Sequence, residues 1–204
     1  MKKFILAFVA CLALGASAFA GGDDGFSFGY TYGIFGMDDG NGNDIKEMGS
    51  GIYLDYYHSI LKFFGLDLTG YFDFPNIQNY KGETKSISPK PTFFGLTFMP
   101  TLNIPFGDHF ALSAGAGIGF MIRHQDYPFF GEKLNFNMYM FTFPVGVAAQ
   151  FKFAKIFGIK LGCNFQFKFS AWAKIEDLDL GSIGYNTDNN AYFINPYIAF
   201  SILF

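Results

Sequence analysis

Three histidines, one beside a serine, are the first residues to weigh for catalysis. His58 precedes Ser59, but neighbours on an extended strand point to opposite faces, so His58 cannot take the Ser59 proton. His109 falls in a short turn and His124 at the start of a loop, and all three read as interfacial or loop side chains. No catalytic residue is assigned, and a non-enzymatic chain is expected. Asp38-Asp39-Gly40-Asn41-Gly42-Asn43-Asp44 offers oxygen atoms at Asp39, Asn41 and Asn43, the opening spacing of a calcium loop. That loop needs a glycine where Asp44 stands and a closing glutamate where Ser50 stands. An Asn-Gly-rich hairpin loop explains the same residues, so neither a metal nor a cofactor is expected. Gly115, Gly117 and Gly119 recur at every second residue. A helix-opening phosphate loop has a different period, and small residues facing a crowded interior account for them better.

What remains is charge. Asp55, Asp67 and Asp73 come first along the chain, and Arg123, Lys152, Lys160 and Lys168 follow, most of them set inside apolar alternation. What these seven can do depends on the elements that hold them. In the clearest of those elements, Ile159, Leu161, Cys163, Phe165, Phe167 and Phe169 interleave with Lys160, Gly162, Asn164, Gln166, Lys168 and Ser170. One face of this strand is apolar and the other polar.

Eight such segments are readable: residues 26–37, 51–59, 64–74, 93–104, 110–123, 139–153, 159–170 and 192–204. Connections between them alternate in length. Short ones fall at 60–63, 105–109 and 154–157, and long ones at 38–50, 75–91, 124–138 and 171–191. The fourth long connection carries Glu176, Asp177, Asp179 and Asp188 among Ile175, Leu178, Leu180 and Ile183, a surface available to an extracellular ligand. Pro100, Pro144 and Pro196 fall inside strands, where a missing N–H interrupts the ladder, and bulges are expected there.

Composition limits the architectures that fit. The chain has 204 residues with 30 Phe, 12 Tyr, 25 Gly, 15% charged residues and a formal charge of −3, which excludes a disordered chain and a basic nucleic-acid binder. Lys2-Lys3, an apolar run from Phe4 to Leu14 and the small residues up to Ala18-Phe19-Ala20 read as a secretory signal cut after Ala20. Residues 1–20 are thus expected to be removed and residues 21–204 to form one domain. Cys163 is then the only cysteine, so no internal disulfide is expected and it reads as a small hydrophobe without redox duty. The longest apolar-leaning stretch after the signal is broken by Ser113 and three glycines, well short of the roughly 20 residues of a spanning helix. An exported, apolar chain without such a helix satisfies its backbone in lipid only by closing a sheet. The expected fold is all-β, an eight-stranded antiparallel up-and-down transmembrane β-barrel.

The C-terminal run Tyr192-Phe193-Ile194-Asn195-Pro196-Tyr197-Ile198-Ala199-Phe200-Ser201-Ile202-Leu203-Phe204 alternates to a terminal Phe. With the signal segment and eight strands, it resembles the small bacterial outer-membrane barrels of the OmpA-barrel, OmpX and OmpW type over nearly the whole mature chain. The resemblance implies residence in the outer membrane of a diderm bacterium, contact with outer-membrane lipid, and an assembly signal read by the barrel assembly machinery. Tyr192, Ile194, Ile198, Phe200, Ile202 and Phe204 would carry that signal. No peptidoglycan-anchoring domain like that of full-length OmpA is expected after Phe204, and the chain reads as a monomer. Two functions stand open: a non-enzymatic envelope protein with a largely plugged polar lumen and interacting loops, or a narrow OmpW-like channel for small molecules, hydrophobic ones included. The charges favour the first. The third and seventh strands are diametrically opposed, which sets Asp67 against Lys160 at a lower level and Asp73 against Lys168 at an upper one.

Overall fold

Alternating side chains are built here into the staves of a closed sheet. The computed structural model describes residues 24–39, 41, 43–61, 63–129, 132–176, 183–186 and 190–204, so Ala18, Ala20 and the expected signal segment lie outside the described residues. The elements are β1 (Gly25–Asp38), β2 (Asp44–Leu61), β3 (Phe64–Tyr80), β4 (Glu83–Ser86), β5 (Thr92–Phe106), β6 (Phe110–Ala116), β7 (Ile118–Phe129), β8 (Glu132–Ala154), β9 (Phe157–Glu176), β10 (Ile183–Asn186) and β11 (Ala191–Leu203). β6 and β7 form one stave interrupted at Gly117, because both keep the same register against β5.

The eight staves close a ring of antiparallel pairs. β1 pairs with β2 and β11, β11 with β9, β9 with β8, β8 with the β6–β7 stave, that stave with β5, β5 with β3, and β3 with β2. Closure leaves no stave with a free edge. The short strands β4 and β10 extend the sheet beside β3 and β9. Asp24 and Phe204 meet at the short-turn end, where Phe204 N–H donates to the Asp24 carbonyl at 2.9 Å.

The alternation sorts the side chains by face. Phe28, Ile52, Phe72, Phe98, Leu112, Phe143, Phe165, Phe167 and Ile198 are exposed on the outside, whereas Ser27, Thr31, Asp55, Asp67, Thr69, Thr97, Gln166 and Asn195 are buried within. An apolar belt around the whole circumference is an interaction surface rather than a solvated one. Aromatic clusters bound it. Phe120, Tyr139, Phe141 and Trp172 pack together on one side, and Phe106, Phe110 and Phe151 on the other. Phe110 and Phe120 share a stave. At about 3.3 Å per residue and a tilt of about 45° they stand roughly 23 Å apart along the axis, close to the ~25 Å apolar band of a membrane barrel.

The prolines interrupt single ladders without shifting any register, so the bulges expected at them do not form. Pairing between β5 and the β6–β7 stave skips Met99 and Pro100, pairing between that stave and β8 skips Phe143 and Pro144, and pairing between β1 and β11 skips Asn195 and Pro196. A lost rung costs one hydrogen bond, whereas a register shift would turn every following side chain to the wrong face. Register shifts do occur, between Met48 and Gly49, Ser59 and Leu61, Phe141 and Thr142, and Lys152 and Ala154.

The staves also run past the segments read from alternation. The first long connection shrinks from 38–50 to 39–43, and the third from 124–138 to the residues between Phe129 and Glu132. β3 continues to Tyr80 and turns into β4, and β9 continues to Glu176. Beyond the apolar band both faces can carry polar side chains, so the period-two signal fades while the backbone ladder continues. The result is two walls above the barrel, one from the upper ends of β1, β2 and β3 with β4, the other from those of β7, β8 and β9 with β10.

Candidate functional site

The bore is built from the inward residue of each stave pair, and its charges gather at two levels. At the lower level, nearer the short turns, Lys160 on β9 places Nζ 2.6 Å from Asp55 Oδ2 on β2 and 3.1 Å from Asp67 Oδ2 on β3. Thr69 Oγ1 donates to Asp67 Oδ1 at 2.7 Å. All four residues are buried. Above this knot Tyr53 and Tyr197 stack with ring centroids 3.8 Å apart, and a Cβ at Gly162 would collide with the Tyr197 ring. The glycine is what lets the aromatic lie flat on the wall.

Higher still, Gln166 Nε2 donates to Tyr71 Oη at 2.8 Å and Gln166 Oε1 accepts from Thr142 Oγ1 at 2.9 Å. Asn195 Nδ2 donates to Asp73 Oδ2 at 3.1 Å. The Asp73–Lys168 level expected from the sequence is therefore replaced: Asp73 is held by Asn195, and Lys168 stands half-buried opposite Thr142 beside a register shift. The stagger of a closed barrel displaces the levels, and on the lower one it brings Asp55 as well as Asp67 to Lys160. Next comes a layer of Phe35, Tyr71, Phe93, Met121, Met138, Met140 and Phe193, each 5% exposed or less. A Cβ at Gly95 would meet the Tyr71 ring, so this glycine too makes room for an aromatic.

The upper charge level is a pair that alternation alone does not reveal. Arg123 on β7 donates through Nε to Glu47 Oε2 at 2.8 Å and through Nη2 to Glu47 Oε1 at 2.6 Å, and also to Gln125 Oε1. Glu47 falls within the first long connection expected from the sequence, and the structure places it on β2 instead. Its signal is the parity it shares with Tyr53 and Asp55, hidden because Lys46, Met48 and Ser50 on the other face are not uniformly apolar. The Arg123–Glu47 pair forms part of the lining of a cleft of about 420 Å³ between the two walls, together with apolar Met37, Ile45, Ile87 and Phe136 and polar Gln78, Lys85, Ser86 and Ser88. Gln125 Nε2 donates to the Pro89 carbonyl at 2.7 Å, which ties residues 87–91 across its side.

The other expected residues fall elsewhere. Lys152 lines a large vestibule at the short-turn end. Tyr192, Ile194, Ile198, Phe200, Ile202 and Phe204 stand on the outer side of β11 and its end, none of them buried. Cys163 is half-buried and free. His58 Nδ1 lies 2.8 Å from Asp24 Oδ2, while Ser59 Oγ donates to the Leu61 carbonyl, so the two are not coupled. Asp39, the first residue of the calcium-like spacing, accepts from the side chain and the N–H of Asn43, the N–H of Asn41 and the hydroxyl of Tyr80. These donors, Asn43 first, hold its carboxyl well below the usual carboxylate range. Asp177, Leu178, Asp179, Leu180 and Asp188 of the acidic connection lie outside the described residues.

No family model and no curated protein sequence matches the chain. Solved structures do. A major outer membrane protein from Thermus thermophilus superposes with a TM-score of 0.57 at 10% identity, covering 89% of this chain and 99% of that one. Neisserial surface protein A gives 0.56 at 9% identity, covering 88% and 97%. The outer membrane protein AlkL, in lipid bilayers, gives 0.55 at 14% identity, covering 92% and 94%. Closed ring, belt, aromatic borders and these likenesses agree: the chain has the fold of the small bacterial outer-membrane β-barrels.

Proposed function

We propose that the protein is an integral outer-membrane barrel without enzymatic activity, whose bore is plugged by its own side chains and whose two walls present a surface to the cell's surroundings. By the rule that short turns are periplasmic and long connections extracellular, the walls stand outside the cell and Asp24 and Phe204 at the periplasmic end. Burial of Tyr71, Phe93, Met121, Met140 and Phe193 in one layer across the bore carries the plug. An eight-stranded interior is narrow enough to be filled by side chains, and the ion-paired levels above and below close it further. The outer face of β11, ending in Phe204, supports reading by the barrel assembly machinery.

Purified protein in planar bilayers tests this reading, with no steady conductance as the expected result. A stable open level in the wild type would promote a second reading, a narrow channel for small hydrophobic molecules. The apolar side chains among the lining of the extracellular cleft, Met37, Ile45, Ile87 and Phe136, support that one.

A further inference from the structure

The cleft between the two walls has a floor. Phe35 and Met138 belong both to its lining and to the aromatic layer across the bore, and Met37 and Phe136 pack against that layer. A molecule that enters from outside the cell is therefore received there and not passed on. The space of about 420 Å³ is of a size that takes a small organic molecule.

Three charged side chains line the cleft, Glu47, Arg123 and Lys85, so the lining carries one surplus positive charge. Arg123 is 7% exposed, and its hydrogen bonds to Glu47 and Gln125 use Nε and Nη2. Nη1 keeps two N–H groups that none of the described residues accepts. Lys85 lies 2.7 Å from Glu83, but both side chains are exposed and Glu83 stands outside the lining, so this pair holds the ammonium only weakly. Beside these donors the wall is aliphatic and adaptable at Met37, Ile45 and Ile87, the kind of surface that follows a flexible chain.

We propose that the cleft binds a carboxylate-headed amphiphile, a medium-chain fatty acid taken from the cell's surroundings, with its head on Arg123 Nη1 and Lys85 and its chain against Met37, Ile45, Ile87 and Phe136. One carboxylate brings the lining to neutrality and supplies the acceptor that Nη1 lacks. An uncharged hydrophobe answers only the apolar half of this lining, and a chainless anion only the polar half. The assignment rests on the reading of the bore as plugged, since an open bore would make the same cleft the mouth of a passage.

The test uses the full mature chain in lipid nanodiscs, with isotope-labelled methionine methyl groups observed by NMR during titration with octanoate and, separately, with octanol. Met37 and Met138 report the cleft, and Met99, paired with Asp67, reports the bore beneath the plug. Met48, on the opposite face of β2 from Glu47, reports uptake into lipid. Octanoate should shift Met37 and Met138 saturably, leave Met99 unmoved and move Met48 only in proportion to its concentration. Octanol should need a roughly tenfold higher concentration, the worth of one charge-assisted hydrogen bond. Lys85→Gln should raise the half-saturating concentration of octanoate several-fold, and Glu47→Gln, which removes the only negative charge of the lining, should lower it, while neither changes that of octanol. Lack of a saturable shift at Met37 and Met138 would overturn the site and leave the plug standing. Equal half-saturation by octanoate and octanol would overturn the carboxylate head, as would an unchanged value for octanoate in Lys85→Gln, an exposed position whose variant serves even where Glu47→Gln does not fold. A saturable shift of Met99 in step with Met37 would overturn the closed floor and the plug together.

Discussion

The two ion-pair levels of the bore share a stave and differ in how charge is matched. Asp55 and Glu47 both point inward from β2. From the lower one the link crosses to Lys160 on β9, and from the upper one to Arg123 on β7, so β2 is tied across the bore in two directions. Below, a flexible ammonium divides itself between two carboxylates on neighbouring staves. Above, a planar guanidinium takes both oxygens of one carboxylate, the geometry its fork favours. The lower level is thus a junction of three staves in which two carboxylates share one ammonium, and the upper level is a one-to-one clamp. Breaking the junction should therefore disturb more of the barrel than breaking the clamp.

The largest effect is expected at Lys160. Lys160→Met leaves Asp55 and Asp67 buried without their cation, and Asp67→Asn leaves Lys160 with one partner fewer. Loss of one member of a buried pair that strands its partner costs about 3 to 5 kcal/mol, so Lys160→Met should approach that range, whereas Asp67→Asn leaves Lys160 paired one-to-one with Asp55 and should cost clearly less. The double change should cost less than the two together, because the second substitution removes the partner that the first one stranded. Denaturant midpoints in vesicles measure all three, and strict additivity would show that these groups are separately solvated.

This junction was largely legible in the sequence, and the clamp was not. Asp67 and Lys160 sit in segments where every second residue is apolar, so their inward direction and their opposition across eight strands follow from the residue order alone. The pairing of Asp73 does not, because tilt and stagger decide which residue lies level with it, and that neighbour is Asn195. Glu47 was hidden for a different reason. β2 continues beyond the apolar band, where Lys46 and Ser50 can face water as readily as Glu47 can face the bore. Pro100, Pro144 and Pro196 marked sites of interrupted pairing correctly, but not the form of the interruption, since skipping a rung preserves the parity that the apolar belt requires.

A smaller effect is expected at the clamp. Arg123→Met removes charge-assisted hydrogen bonds, each worth about 1.5 to 3 kcal/mol, but Glu47 lies beside the extracellular cleft and can recover water. Glu47→Gln should cost less again, since Arg123 keeps an oxygen acceptor. Neither should open a steady conductance, because the layer of Tyr71, Phe93 and Phe193 stands beneath. Lys160→Met, in contrast, disturbs the bore below that layer. Single-channel recordings of both variants sharpen the difference, and an open level in Arg123→Met with none in Lys160→Met would reverse the assignment of the stronger closure.

The smallest effect belongs to Asp39, at the tip of the wall that the clamp braces. Its carboxylate is held by Asn41 and Asn43 of its own loop and by the Tyr80 hydroxyl on β3, so it ties these residues together without crossing the bore. Those donors favour the charged form and hold its pKa below the ordinary value in the folded loop. The sign follows from linkage. A depressed pKa contributes stability that is present above the unfolded value, about pH 4, and is lost as the pH falls below it towards the folded value. Acid should therefore loosen the loop while leaving the barrel intact, which amide exchange at Asn41 and Asn43 reports against exchange in β8. Asp39→Asn keeps an oxygen for one donor and discards the charge. It should raise exchange in the loop at neutral pH, abolish the acid-dependent step there, and leave the unfolding midpoint of the barrel unchanged. An acid step that persists in Asp39→Asn would assign it to another carboxylate of the wall, Asp38 or Asp44 being the nearest in sequence.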